Sequence, residues 1–133
     1  MRFNLDTSAI ITFVANTARR VPFVQYLVHH HDFLMCEAVH KEVKPIMKLG
    51  LEQEQERYYE LEKRIVVVPD VNDETIQVSR RIQPVDRTFF ATGEKLGFQG
   101  ITADRKLVTA LRHQGKNPRI LIIPAHSLGK NRK

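Results

Sequence analysis

Phe3-Asn4-Leu5-Asp6-Thr7-Ser8 and Gly100-Ile101-Thr102-Ala103-Asp104 are short apolar runs that each end on an aspartate and lead into a helix-favouring stretch. Brief apolar segments bounded by turn or capping residues read as buried strands. Three more such runs, Asp32 to Cys36, Ile65 to Val68 and Arg119 to Ile123, alternate with helical patterns along the chain. Strand and helix in alternation predict an α/β class: one domain of three α/β/α layers around a central five-stranded parallel sheet. In such a sheet the ligand site lies beyond the carboxyl ends of the strands, where strand order reverses. Should the first and fourth strands be neighbours there, Asp6 and Asp104 face each other across the crevice.

Working outward, Thr7 or Ser8 offers an N-cap oxygen to a helix from Ala9 to about Ala18. Pro22 opens a second helix reaching His30. From Glu37 a longer one carries Val39, Val43, Ile46 and Met47, with a kink expected at Pro45 and a break at Gly50. Glu52 to Arg64 is charged and helix-favouring; Tyr58, Tyr59 and Leu61 read as its packing positions and its acids as a solvated face. Asn72 or Asp73 is expected to cap a helix running to about Ile82. Pro84 opens the next, with Asp86 near its start, Leu96 near its end and Gly97 as the stop. Asp104 to His113 forms the last. Residues 1–128 make the domain, and 129–133 a short basic tail expected to be mobile.

With 133 residues the chain is long enough for one domain with a real core and too short for two. Lys and Arg outnumber Asp and Glu by 21 to 15, a formal charge of +6, which favours an anionic partner such as nucleic acid. Cys36 is the single cysteine, so no internal disulfide forms, and its apolar surroundings mark it as a buried residue. No apolar stretch approaches the ~20 residues of a membrane span. With no signal peptide discernible, a cytoplasmic location is expected. His29-His30-His31 reads as a helix end that favours cationic groups rather than as a metal site.

Four carboxylates, Asp6, Glu42, Asp86 and Asp104, stand where a strand gives way to a helix or where a helix begins. Each has a plain alternative. Asp6 and Asp104 could cap their helices, and Asp86 could complement a helix dipole. Glu42 could pair with a neighbouring lysine, and Glu37 competes for its place. Gathered at one sheet edge, however, acids repel one another unless a divalent cation joins them, which points to a metal-dependent enzyme acting on a polyanion.

The set, in this order, resembles the PIN-domain family of small metal-dependent ribonucleases, from residue 3 to about residue 128. Asp6-Thr7-Ser8 is similar to the family's opening element. Phe33-Leu34-Met35-Cys36-Glu37-Ala38-Val39-His40-Lys41-Glu42-Val43 is similar to its second, whose register selects Glu42 over Glu37. Asp86-Arg87-Thr88-Phe89-Phe90-Ala91-Thr92-Gly93 and Ile101-Thr102-Ala103-Asp104 are similar to its third and fourth. Ile123-Pro124 resembles its closing strand. The chain departs where many relatives carry a further acidic or polar residue, having Arg105-Lys106 instead.

The resemblance implies hydrolysis of RNA phosphodiesters with Mg²⁺ or Mn²⁺, hard ions suited to carboxylate oxygens. Asp6, Asp86, Asp104 and Glu42 are the expected catalytic and metal-holding residues, with Thr7, Ser8 and Thr102 orienting them. Arg87, Arg105 and Lys106 are the expected RNA contacts. A toxin of a toxin–antitoxin pair, with a small antitoxin partner and a homodimeric state, is the role implied first. An inactive PIN-like module that grips RNA or protein is the alternative. A phosphoryl-transfer enzyme using Asp6 as nucleophile is a third, weakened because Ser8 stands where such chemistry usually places a second aspartate.

Overall fold

The computed structural model describes residues 2–71 and 81–130. Strands β1 (Arg2–Leu5), β2 (Asp32–Cys36), β3 (Ile65–Val68), β4 (Gly100–Thr102) and β5 (Ile120–Ile122) form one sheet in the order β3-β2-β1-β4-β5, every pair parallel. The expected five-stranded parallel sheet is present. Strand order reverses between β1 and β4, where Asn4 pairs with Gly100 and Leu5 with Ile101. Among the described residues there are six α-helices: α1 (Thr7–Val14), α2 (Pro22–His30), α3 (Glu37–Met47), α4 (Glu52–Glu62), α5 (Pro84–Leu96) and α6 (Arg105–His113).

Both faces of the sheet are covered. Partners in a parallel ladder point to the same side, so Phe3 and Phe33 share a face. On that face Phe13 of α1 packs against Phe33, ring centroids 5.3 Å apart. Asn4 points the other way, its Nδ2 donating to the Phe89 carbonyl of α5 at 3.0 Å. The completely buried Leu5, Phe33, Met35 and Ile101 form the middle of the core. At Gly100 the second layer comes very close: an added Cβ would stand 2.9 Å from Phe89 Cζ. Glycine there leaves room for the Phe89 ring of α5 over β4. Gly97 ends α5 with φ 75°, in the left-handed region that glycine adopts without strain.

Several expectations need correction. Asp6, not Thr7 or Ser8, caps α1, its side chain accepting from the Ala9 amide. That helix stops at Val14 rather than Ala18, because Ala15 turns extended (φ −59°, ψ 136°) and a 3₁₀ turn follows over Asn16–Arg20. The α4 acids are not all solvated. Glu54 is fully buried, and its carboxylate accepts the amides of Asn16 (2.8 Å), Leu51 (2.9 Å) and Gly129 (2.9 Å). Tyr59, expected to pack, is 62% exposed. Gly129, placed in the mobile tail, is therefore anchored; residues 131–133 lie outside the described residues. So does most of the expected helix from Asn72 or Asp73, although Ile82 at its far end is buried in the core. Pro45 stands in the last turn of α3, which continues to Met47. No helix among the described residues is long and apolar enough to cross a membrane.

Candidate active site

The carboxyl ends of β1 and β4 are stitched together by two hydroxyls. Asp6 is 3% exposed. Ser8 Oγ donates to its carboxylate at 2.8 Å, Thr102 Oγ1 donates to Oδ2, and the Ala9 amide donates to Oδ1 at 2.8 Å. The same two hydroxyls also accept backbone amides just past β4: Ser8 Oγ reaches across to the Ala103 amide, and Thr102 Oγ1 takes the Asp104 amide two residues on in its own segment, both at 3.0 Å. Thr102 thus joins the Asp6 side chain to the backbone of Asp104. Asp104 caps α6, its Oδ1 accepting from the Lys106 amide at 3.0 Å and the Leu107 amide at 3.4 Å.

Burial governs the Asp6 carboxyl. Loss of water pushes its pKa up to about 6, the charge of Asp86 adds to the rise, and the bonds from Thr102, Ala9 and Ser8 oppose it. Asp86, half-buried in the first turn of α5, also rises to about 6. Desolvation leads there, followed by the charges of Asp104 and Glu42. Acids at positions 6, 42, 86 and 104 therefore act on one another through space. Glu42, exposed on α3, is the α3 glutamate that reaches Asp86 electrostatically. Thr7 Oγ1, beside Asp6, is buried without a hydrogen-bond partner among the described residues.

Electrostatic influence extends further than a ligand bond. Among the described residues no three His, Cys, Asp or Glu side chains are drawn close enough to hold a metal ion. Asp6 spends its oxygens on hydroxyls and an amide instead. As chemistry, however, the donor types fit a hard divalent ion: the groups whose charges reach Asp86 are the carboxylates of Asp104 and Glu42, and the buried Thr7 hydroxyl beside Asp6 has no partner among the described residues. The expected RNA contacts flank these acids. Arg87 follows Asp86 in α5, and Arg105 and Lys106 are exposed in the first turn of α6. Asp70 was not singled out in the sequence; it follows β3 and accepts the Ala38 amide at 2.9 Å, serving the start of α3.

This fold is that of the PIN, or PilT N-terminus, domain. A PilT N-terminus domain protein from the hyperthermophilic archaeon Sulfolobus solfataricus P2 is similar over 92% of this chain and 87% of its own, with a TM-score of 0.57 and 9% identity. Mycobacterium tuberculosis VapC20, a sarcin–ricin loop cleaving toxin, is similar over 81% of this chain and 94% of its own, TM-score 0.58, at 18% identity. VapBC2 from Rickettsia felis, bound to a DNA fragment from their promoter, is similar over 95% of this chain and 100% of that one, TM-score 0.59, at 10% identity. At such identities the likeness is one of fold. By sequence the chain belongs to the family described as protein of unknown function DUF1308, which matches residues 7–133.

Proposed function

We propose that the protein is a metal-dependent endoribonuclease whose site is the acidic quartet Asp6, Glu42, Asp86 and Asp104. The observation that carries this reading is the β1–β4 reversal, where Thr102 ties the Asp6 carboxylate to the Asp104 backbone; Asp86 lies near enough that the charges of Asp104 and Glu42 add to the rise that burial gives its carboxyl. Carboxylates drawn from α1, α3, α5 and α6 would not be kept in mutual repulsion for stability alone. Asp6, Asp86 and Asp104 would hold Mg²⁺ or Mn²⁺, with Glu42 at the open side. When bound, such an ion lowers the pKa of water and offsets charge on the phosphate.

The chain's own groups do the rest. Ser8 and Thr102 fix the Asp6 carboxylate, and Thr102 also fixes the Asp104 backbone. Arg105 and Lys106 sit at the positive end of the α6 dipole, where cations are unfavourable. Holding backbone phosphates would explain that placement. Toxin activity, a small antitoxin partner, a homodimer and a cytoplasmic setting belong to the same proposal, supported by the fold shared with VapC20 and VapBC2.

The test is incubation of the purified protein with mixed RNA and DNA in Mg²⁺, Mn²⁺ or EDTA. Cleavage of RNA that needs the ion, and that Asp6→Asn abolishes while leaving the fold intact, is the expected result. Ion-dependent cleavage retained in Asp6→Asn would defeat the assignment. A second reading, an inactive PIN-like module that grips RNA or protein, is favoured by one observation: the acids are not drawn into a closed ligand set, and Asp6 is occupied as a cap. Binding without cleavage would decide for it.

A further inference from the structure

At the far end of α1, about 12 Å along the helix from Asp6, the 3₁₀ turn and α4 enclose a second charged region. Arg57 of α4 is fixed in it. Its Nε donates to the Val14 carbonyl at 2.9 Å and its Nη2 to Asn16 Oδ1 at 2.7 Å. Partial desolvation and the neighbouring Arg19 both hold its pKa below the usual guanidinium value, while Glu54 acts in the opposite sense. Glu54 cannot turn to meet it, because its oxygens are committed to three backbone amides. Among the described residues, neither Arg19 nor Arg20 has a carboxylate within ion-pair distance.

Two open recesses share Arg19. One, of about 800 Å³, is lined by Arg19 and Arg57 over an apolar floor that includes Phe13 and Leu61. The other, of about 690 Å³, is lined by Asn16, Thr17, Arg19 and Arg20 alone. Two acids, Glu56 and Glu60, also line the larger recess, and Glu60 is paired with Lys63 at 3.2 Å. The balance is cationic: Arg19, Arg57, Lys63 and Arg64 line the larger recess, and Arg19 and Arg20 the smaller.

We propose that Arg19, Arg20 and Arg57 form a second phosphate-binding station, which holds the backbone of a single-stranded RNA at a distance from the acidic site. The proposal rests on the reading of the chain as an RNA-acting protein. Guanidinium forks match phosphate oxygens, and a rigidly held arginine loses little freedom on binding one. Phosphates along a strand supply anions in series, which suits adjoining recesses that share a cation. An acidic peptide would present carboxylates on long, mobile side chains, and only the larger recess would give it an apolar floor, whereas arginines line both. Arg57 stays fixed in the test because it also supports the end of α1; the exposed Arg19 and Arg20 are the positions to vary.

The experiment is fluorescence anisotropy of a labelled oligouridylate of about 12 nucleotides, in EDTA, over roughly 50 to 300 mM KCl. Arg19→Glu/Arg20→Glu should weaken binding at least tenfold at low salt and flatten the salt slope by about 1.4, the value for two lost phosphate contacts on a single strand. Arg19→Ala/Arg20→Ala should show a smaller loss in the same direction, and circular dichroism should be unchanged in both. Wild-type affinity and slope in the charge-reversed variant overturn the station. If the wild type still cleaves RNA in Mg²⁺, the proposed function survives that result; a wild type that neither binds nor cleaves removes both. Oligoglutamate that binds through these arginines while RNA does not overturns the proposal in favour of a protein partner. Inorganic phosphate that saturates them without any RNA affinity overturns it in favour of the free ion.

Discussion

Among the described residues no hydrogen bond stabilises the charge of Asp86, and burial, with the charges of Asp104 and Glu42 behind it, raises its carboxyl from 3.8 to about 6. Between those values the native protein holds more protons than the unfolded chain, so ionisation costs stability as pH climbs from about 4 to about 6, and the cost persists above. Asp86→Asn in metal-free buffer should therefore be more stable than wild type at pH 7. The side chain is only half-buried, and solvent screening reduces the full conversion of the shift to about 1 kcal/mol, or roughly 3 °C in Tm. Near pH 4 the gain should vanish. An equal difference at both pH values, measured by thermal melts, would sink the account. At Gly100 a single methyl has the reverse effect. Gly100→Ala places a Cβ 2.9 Å from Phe89 Cζ and 3.2 Å from Ile120 Cγ1. The buried Phe89 ring or the Ile120 side chain must give way, at about 1–3 kcal/mol in urea denaturation. The positions of Asp6 and Asp104 were legible because each follows an apolar run. Their bonding was not: Asp6 takes the capping role expected of Thr7 or Ser8, a choice between adjacent oxygens that depends on where β4 brings Thr102.

Elements were legible where one periodicity dominated. The apolar run Ile65 to Val68 and the Pro22 helix start appear as read, because neither depends on distant residues. The end of α1 and the nature of α4 do depend on them. Glu54 lies in a sequence so charged that a wet face was the natural reading, but three segments far apart in the chain converge on its carboxylate. Amides from the 3₁₀ turn, from the start of α4 and from the C-terminal segment share one acceptor, which no local pattern announces. Glu54→Gln keeps the shape and loses the charge, and the new amide group opposes at least one N–H donor. Charge-assisted bonds of this kind contribute about 1.5–3 kcal/mol each, and a buried donor left unmet costs a similar amount. A loss of about 2 kcal/mol in urea-induced unfolding is expected, with faster hydrogen exchange at Gly129 than in wild type. Unchanged stability would mean that Glu54 is dispensable and that the three segments are held by apolar contacts alone.

For the molecule as a whole, the alternation of strands and helices made a parallel sheet readable, and the need to oppose two aspartates made the β1–β4 reversal readable with it. Connectivity does not say how tightly the acids close. In the folded chain they repel one another without forming a ligand set, so an ion that draws them together should bind the native state and not the unfolded one. Binding of that kind raises stability by RT ln(1 + [L]/Kd), about 1.4 kcal/mol at ten times Kd. Mg²⁺ or Mn²⁺ added to EDTA-treated protein at constant ionic strength should raise Tm by roughly 4 °C at that excess. Two controls separate a site from general screening. Na⁺ at matched ionic strength should give less, since screening relieves the same repulsion only in part. Asp86→Asn and Asp104→Asn should lose most of the ion-specific shift. A rise that survives both substitutions would place the ion elsewhere on the surface, whereas no rise in wild type would leave the quartet as four separate acids that cap helices and repel, favouring the binding module over the nuclease.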